Sequence, residues 1–154
     1  MLRFGIAIVI ASLLLSLSSA TSPAAGSDVF RGFRISAFVR PNPVDEATDP
    51  RITVTIENNT RSSASIVTTH YAVLEIGLAI VDSHGHGVRA SPHYPSEMSR
   101  RSRLLDPGES YTTSGLLSDW GYRLAPGIYR VYIQRASFRN GSADLKTSRI
   151  LTVR

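Results

Sequence analysis

Three stretches of this chain alternate apolar and polar side chains with a period of two, and that period excludes most folds. In FRISAFV, Phe33, Ile35, Ala37 and Val39 fall on one side, with Arg34, Ser36 and Phe38 on the other. RITVTIENN sets Ile52, Val54 and Ile56 against Thr53, Thr55 and Glu57, and GIYRVYIQR sets Tyr129, Val131 and Ile133 against Arg130, Tyr132 and Gln134. A helix would scatter such side chains around its circumference, whereas a strand sends them to opposite faces, so each stretch predicts a half-buried β-strand. The many β-branched residues favour the same state.

The remaining apolar runs are short and separated by turn chemistry. SRLL ends at Asp106-Pro107-Gly108-Glu109, SYTTSGLL follows, and SRILTVR comes after Asn140-Gly141. Pro107 and Pro126 preset φ for turns, with Gly108 and Gly127 placed to accept the angles that follow. From Tyr71 to Val81, YAVLEIGLAIV is apolar at nearly every position. This reads as a central strand covered on both faces, with a buried helix as the rival, against which Gly77 counts about 1 kcal/mol. The pattern predicts an all-β chain of about seven antiparallel strands packed as a sandwich, with a small barrel as the alternative.

Not all of the 154 residues belong to that fold. Met1-Leu2-Arg3, an apolar run from Phe4 to Leu17 and Ser18-Ser19-Ala20 have the three-part layout of a secretory signal peptide. We expect cleavage after Ala20, with Gly26 as the alternative, a linker over Thr21–Ser27 and one domain over 28–154. The apolar run falls short of the roughly 20 residues that a spanning helix needs, so no membrane span is expected after cleavage. The expected location is periplasmic or extracellular, and the expected state a monomer. The sequence has no cysteine, which excludes a lipid-bearing cysteine at the junction, disulfides, thiolate metal sites and cysteine nucleophiles. Of 17 basic residues only Arg3 lies in the leader, which leaves a net +4 against 12 acidic residues, too little to argue for nucleic acid.

The segment from Leu104, LLDPGESYTTSGLLSDWGYRLAPGIYRVYI, resembles the last part of a secreted bacterial immunoglobulin-like domain. There a Leu-x-Pro-Gly-Glu-Ser turn opens one strand, a Ser-Asp-aromatic corner follows, and Leu-x-Pro-Gly-x-Tyr-x-Val opens the next. ITVTIENNT is similar to the second strand of such domains, and VDSHGHGV to their Asp-x-x-Gly-x-x-Val hairpin. The chain is similar in this respect to the non-catalytic domain of deuterolysin-type metallopeptidases and to BsuPI-type proteinase inhibitors. The resemblance implies an immunoglobulin-like β-sandwich with a binding or folding-assistant role and no catalysis. The chain lacks the His-Glu-x-x-His of the peptidases, and no inhibitory loop can be assigned.

LAIVDSHGHGVRASPHYP, Leu78 to Pro95, holds three of the four histidines. Its Gly85 to Ala90 fits a loose dinucleotide-loop pattern, but Pro92 and Pro95 stop the helix that such a loop must open. Two readings remain. In the first, His84, His86 and His93 bind a metal, with His70, Glu97 and Met98 near in sequence; three histidines would suit zinc, and two with a methionine would suit copper. In the second, which we prefer, Asp82, Gly85 and Gly87 form a plain hairpin turn, with aspartate as its cap. No cofactor is expected, and no nucleophile motif or phosphate loop is present.

Two more groups stand out. Arg130, Tyr132 and Gln134 share the outward side of their strand and are expected beside Arg149 of the last strand, a tyrosine among arginines as at interfaces. Trp120 is expected to cap the core, its N–H needing one partner, and Tyr129 to bond back across its corner. Asn58-Asn59-Thr60 and Asn140-Gly141-Ser142 match glycosylation acceptors. The sequence thus points to an exported non-catalytic module that recognises a protein or envelope component, with metal binding or proteinase inhibition as alternatives.

Overall fold

A computed structural model describes residues 28–30, 32–91, 93, 99–136 and 144–154. The leader and linker, Glu97, Met98 and the Asn140 acceptor lie outside the described residues. The strands are β1 (Asp28–Phe30), β2 (Phe33–Arg40), β3 (Arg51–Asn58), β4 (Ala64–Thr68), β5 (Ile76–Asp82), β6 (Arg101–Leu105), β7 (Ser110–Leu116), β8 (Gly127–Ala136) and β9 (Asp144–Val153). A helical turn, α1 (Ala72–Glu75), precedes β5, and a 3₁₀ turn, Leu117–Trp120, follows β7. One antiparallel sheet has the order β1-β2-β3-β7, a second the order β5-β8-β9, and β4 pairs with β6 alone.

The alternation read from the sequence sets which face of each strand is dry. Phe33, Ile35, Ala37 and Val39 of β2 are buried with Ile52, Val54 and Ile56 of β3, and the β2–β3 register runs from Phe33↔Asn58 to Arg40↔Arg51. Facing them are Ile76 and Ile80 of β5, Tyr129, Val131 and Ile133 of β8, and Leu145, Leu151 and Val153 of β9. Ile66 of β4 and Leu105 of β6 close the same core. Burying each such aliphatic side chain favours the fold by about 1.5–3 kcal/mol, and a register slip of one residue would turn the whole set to water. The architecture is all-β and sandwich-like.

Two of the sequence motifs form one physical unit. Asn58 is fully buried at the end of β3; its Nδ2 donates to the carbonyls of Ser62 and Leu105, and its Oδ1 accepts from the N–H and hydroxyl of Thr60. Its backbone N–H donates to Glu109 O at 2.9 Å, and its carbonyl accepts from Gly108 N at 2.7 Å. The Asp106–Glu109 turn is thereby fastened to the end of β3, with Gly108 at φ +79°. A side chain whose amide is buried and used in this way leaves no place for a glycan on the folded domain, whatever the sequence motif at Asn58.

The run Tyr71–Val81 is neither the strand nor the helix expected but both in turn. Its first part coils into α1, which carries Glu75 inside to Arg135; its second part, β5, is an edge strand with Gly77 and Ala79 exposed. A carboxylate in an apolar run needs a cationic partner when buried, and the turn lets it reach one. Sequence reading also passed over β1 and β4.

The outer edge of β5 is covered by donors from elsewhere. Trp120 Nε1 donates to Ile76 O at 2.7 Å, Tyr122 Oη to Leu78 O at 3.0 Å, and Val88 N to Ile80 O at 2.8 Å. Trp120 lies so close over Gly115 that a Cβ there would sit 2.8 Å from its ring. On the far side of the sheet, Asn42 bridges Ile150 O and Thr152 N of β9, while Val44 donates its N–H to Thr152 O and its carbonyl accepts from Arg154 N. Backbone left open at an edge templates pairing with other chains, so these covers direct any contact to the side chains.

Tyr129 Oη donates to Ala125 O at 2.9 Å, closing the corner before β8. Gly127 does not supply a positive φ there; instead a Cβ at Gly127 would lie 3.3 Å from the Tyr129 ring.

Candidate functional sites

The histidine-bearing segment is a hairpin tip built by Asp82. Its Oδ1 accepts from the backbone N–H groups of His84 and His86, both at 2.9 Å, and Gly85 takes φ +85° between them. Asp82 N donates to His86 O at 2.9 Å and Val88 N returns to Ile80, so the chain doubles back on β5. The turn reading therefore describes the backbone well. The N–H of His86, joined by that of His84 and by the two imidazoles, holds the Asp82 carboxyl below its ordinary value.

The side chains at this tip do more than the turn requires. Asp82 Oδ2 lies 3.4 Å from His86 Nδ1 and 4.0 Å from His84 Nδ1. The rings are stacked with centroids 6.1 Å apart, and both side chains are mostly exposed. Among the described residues, Asp82, His84 and His86 bring one ligand atom each within 4.8 Å of one another. His93 is not in this group; it lines a groove with His70, Tyr71 and Ser114. Sequence reading named the two close histidines and took Asp82 only as a cap.

The second candidate is the outward face of β5-β8-β9. Across it, Arg130 stands opposite Ile150 and Val81, and Tyr132 opposite Ser148 and Ala79. Gln134 lies between Gly77 and Lys146, and Ile128 opposite Thr152. Ile128 is 55% exposed, Ile150 48% and Tyr132 44%, so three large apolar side chains meet water around one guanidinium. Arg149 does not join them. It is opposite Val131, and its guanidinium points between the sheets, where Nε donates to Ala37 O at 2.5 Å. Directly paired residues share a face, so the parity of Leu151 and Val153 already places Arg149 inward. Burial lowers its guanidinium from its ordinary value.

A buried polar cluster between the sheets escaped the sequence reading. Arg135, with no exposed surface, donates to Glu75 Oε2 at 3.2 Å and to Val67 O at 2.6 Å. Glu75 Oε1 accepts from Thr69 N at 2.5 Å and from Tyr111 Oη at 3.0 Å. The Tyr111 ring lies between Arg103 and Arg135, whose guanidinium carbons are 5.4 and 5.3 Å from its centroid. Burial lowers Arg135 from its ordinary value against the pull of Glu75, and burial with the Glu75 charge raises Tyr111. With each charge met by a partner, the cluster fits a structural tie between sheets.

Fold and surface together define a small all-β, sandwich-like domain that clusters exposed apolar side chains on the outward face of β5-β8-β9. No protein-family profile matches the chain, and no curated protein does. Similar solved structures include a β-glucosidase from Listeria innocua in complex with glucose, at 19% identity and TM-score 0.43, covering 82% of this chain and 16% of that one. A β-glucosidase from Erythrobacter marinus shows 16% identity and TM-score 0.41, with 82% and 16% covered. A β-glucuronidase from Bacteroides uniformis shows 12% identity and TM-score 0.42, with 77% and 13% covered. The chain thus spans a small fraction of these proteins, and likenesses this distant carry no argument about what it does.

Proposed function

We propose that this chain is an exported, non-catalytic binding module that recognises another protein or an envelope component through the outward face of β5-β8-β9. The observation that carries the reading is the cluster of Ile128, Tyr132 and Ile150 around Arg130, three of the six large apolar side chains exposed among the described residues, the other three, Phe38, Tyr71 and Leu104, lying apart on β2, just before α1 and on β6. Neighbouring apolar side chains in water lose the gain that burial would give them, and an aromatic beside an arginine is what binding hot spots are made of. The covered edges of β5 and β9 favour contact through this face rather than by strand addition. Gly77 and Ala79 leave room beside Gln134 and Tyr132 for a partner's side chains.

Export, the immunoglobulin-like identity and kinship with peptidase-associated domains belong to the same proposal, and an exported peptidase is the partner class that the kinship names. The test uses the immobilised full chain and extract of the exporting cell. Replacing Arg130 and Tyr132 by alanine is expected to reduce capture while leaving the melting temperature in place, because neither side chain is in the core. Unchanged capture removes this face from consideration.

A further inference from the structure

We propose that Asp82, His84 and His86 form a site for a divalent transition-metal ion of imidazole preference, with copper(II) the tightest binder. The proposal goes beyond the β8–β9 face and stands or falls without it. The backbone hydrogen bonds to Asp82 Oδ1 fix the carboxylate so that Oδ2 turns to both Nδ1 atoms, at 3.4 and 4.0 Å. Ligands with bonds near 2.1 Å stand roughly 3.4 Å apart around a tetrahedral ion such as zinc, and about 3.0 Å apart when adjacent in the square plane that copper(II) prefers. The observed spread of up to 4.8 Å closes to either by small rotations of two exposed rings. Such rotations meet no packing resistance.

The donor set decides the ion. Two imidazoles and one carboxylate suit copper, zinc and nickel, and among divalent ions such a set binds copper(II) most tightly. Magnesium, which wants six oxygens, finds one protein oxygen here. The two amides on Oδ1 do for the carboxylate what an outer shell does in built sites, and the exposure of the tip leaves further coordination positions to water.

The test is calorimetric titration of the full chain, without an affinity tag, with copper(II), zinc(II) and magnesium(II) salts. One equivalent of copper(II) should bind, zinc(II) more weakly, and magnesium(II) not measurably. His84→Ala, His86→Ala and Asp82→Asn should each weaken copper binding about tenfold or more, whereas His70→Ala and His93→Ala should leave it unchanged. Copper(II) should also broaden the imidazole proton resonances of His84 and His86 in the unaltered chain before those of His70 and His93, a readout that needs no variant. Absence of saturable binding, binding that survives loss of both His84 and His86, indifference to Asp82→Asn, or loss in His93→Ala would each overturn the proposal.

Discussion

The two sheets turn different chemistry to water. On the outward face of β2-β3-β7, polar groups answer one another: Arg34 pairs with Glu57, the hydroxyls of Thr55 and Thr112 meet at 2.9 Å, and Arg51 donates to Ser114 at 3.3 Å. Even its exposed Phe38 has Arg40 over its ring, at 5.7 Å. On the outward face of β5-β8-β9, Ile128, Tyr132 and Ile150 stand in water beside Arg130. A face that satisfies itself offers a partner little, since binding there would break hydrogen bonds already made; the other face gains by being covered. The asymmetry, more than any single residue, supports a binding role for one side of the molecule.

Four substitutions probe the difference between the two faces. The largest acts on the interior that both faces share. Glu75→Ala leaves Arg135 charged and buried without its carboxylate, and should cost about 3–5 kcal/mol of stability in denaturant unfolding. A cost under about 1 kcal/mol would mean that water reaches the pair and the sheets are less tightly joined.

Next comes the face itself. Arg130→Ala with Tyr132→Ala should weaken partner binding by about 2 kcal/mol, roughly thirtyfold, as hot-spot residues do. Thr55→Ala with Thr112→Ala on the opposite face should leave binding where it was. Equal effects from the two pairs would erase the distinction.

Trp120→Phe keeps a ring over Gly115 but removes the N–H that caps Ile76 O. The uncapped, buried carbonyl should cost about 1.5 kcal/mol, read from chemical unfolding. If the variant also bound partner more tightly, strand addition at β5, and not the face, would be the mode.

The smallest effect is a matter of pH. Tyr111 is raised above its ordinary value of 10.0 by burial and by the Glu75 charge. A raised acid holds its proton longer folded than unfolded, so its contribution is complete below about pH 10 and is lost as pH rises through the folded value. Tyr111→Phe should flatten the alkaline fall of the melting temperature over that range. An unchanged slope would show that the hydroxyl is in contact with water in the folded chain.

Much of the fold was legible because alternation is a local signal. The inward sets of β2, β3 and β8, the Asp106–Glu109 turn, the corner bond of Tyr129 and the N–H demand of Trp120 were all readable from neighbouring residues. What was not legible depends on partners far along the chain. Nothing in YAVLEIGLAIV says that Glu75 meets an arginine 60 residues later, and so nothing says that its first half coils. Parity with Val131 and Ile133 would have placed Arg135 inward too, but without Glu75 in view an inward arginine looks like an error. Arg149 could have been placed from Leu151 and Val153, and was misplaced by following its charge instead. At the hairpin the histidines were named, yet the role of Asp82 beyond capping emerges only when Oδ2 is seen to face both rings.

The most direct test of the binding face puts a photoreactive side chain at Tyr132 in one version of the full chain and at Thr55 in another, each irradiated in the cells that make it. A discrete covalent adduct from position 132 and none from position 55 is the expected result. An adduct from position 55 alone, or from neither position, would show that the outward face of β5-β8-β9 is not where the chain meets its partner.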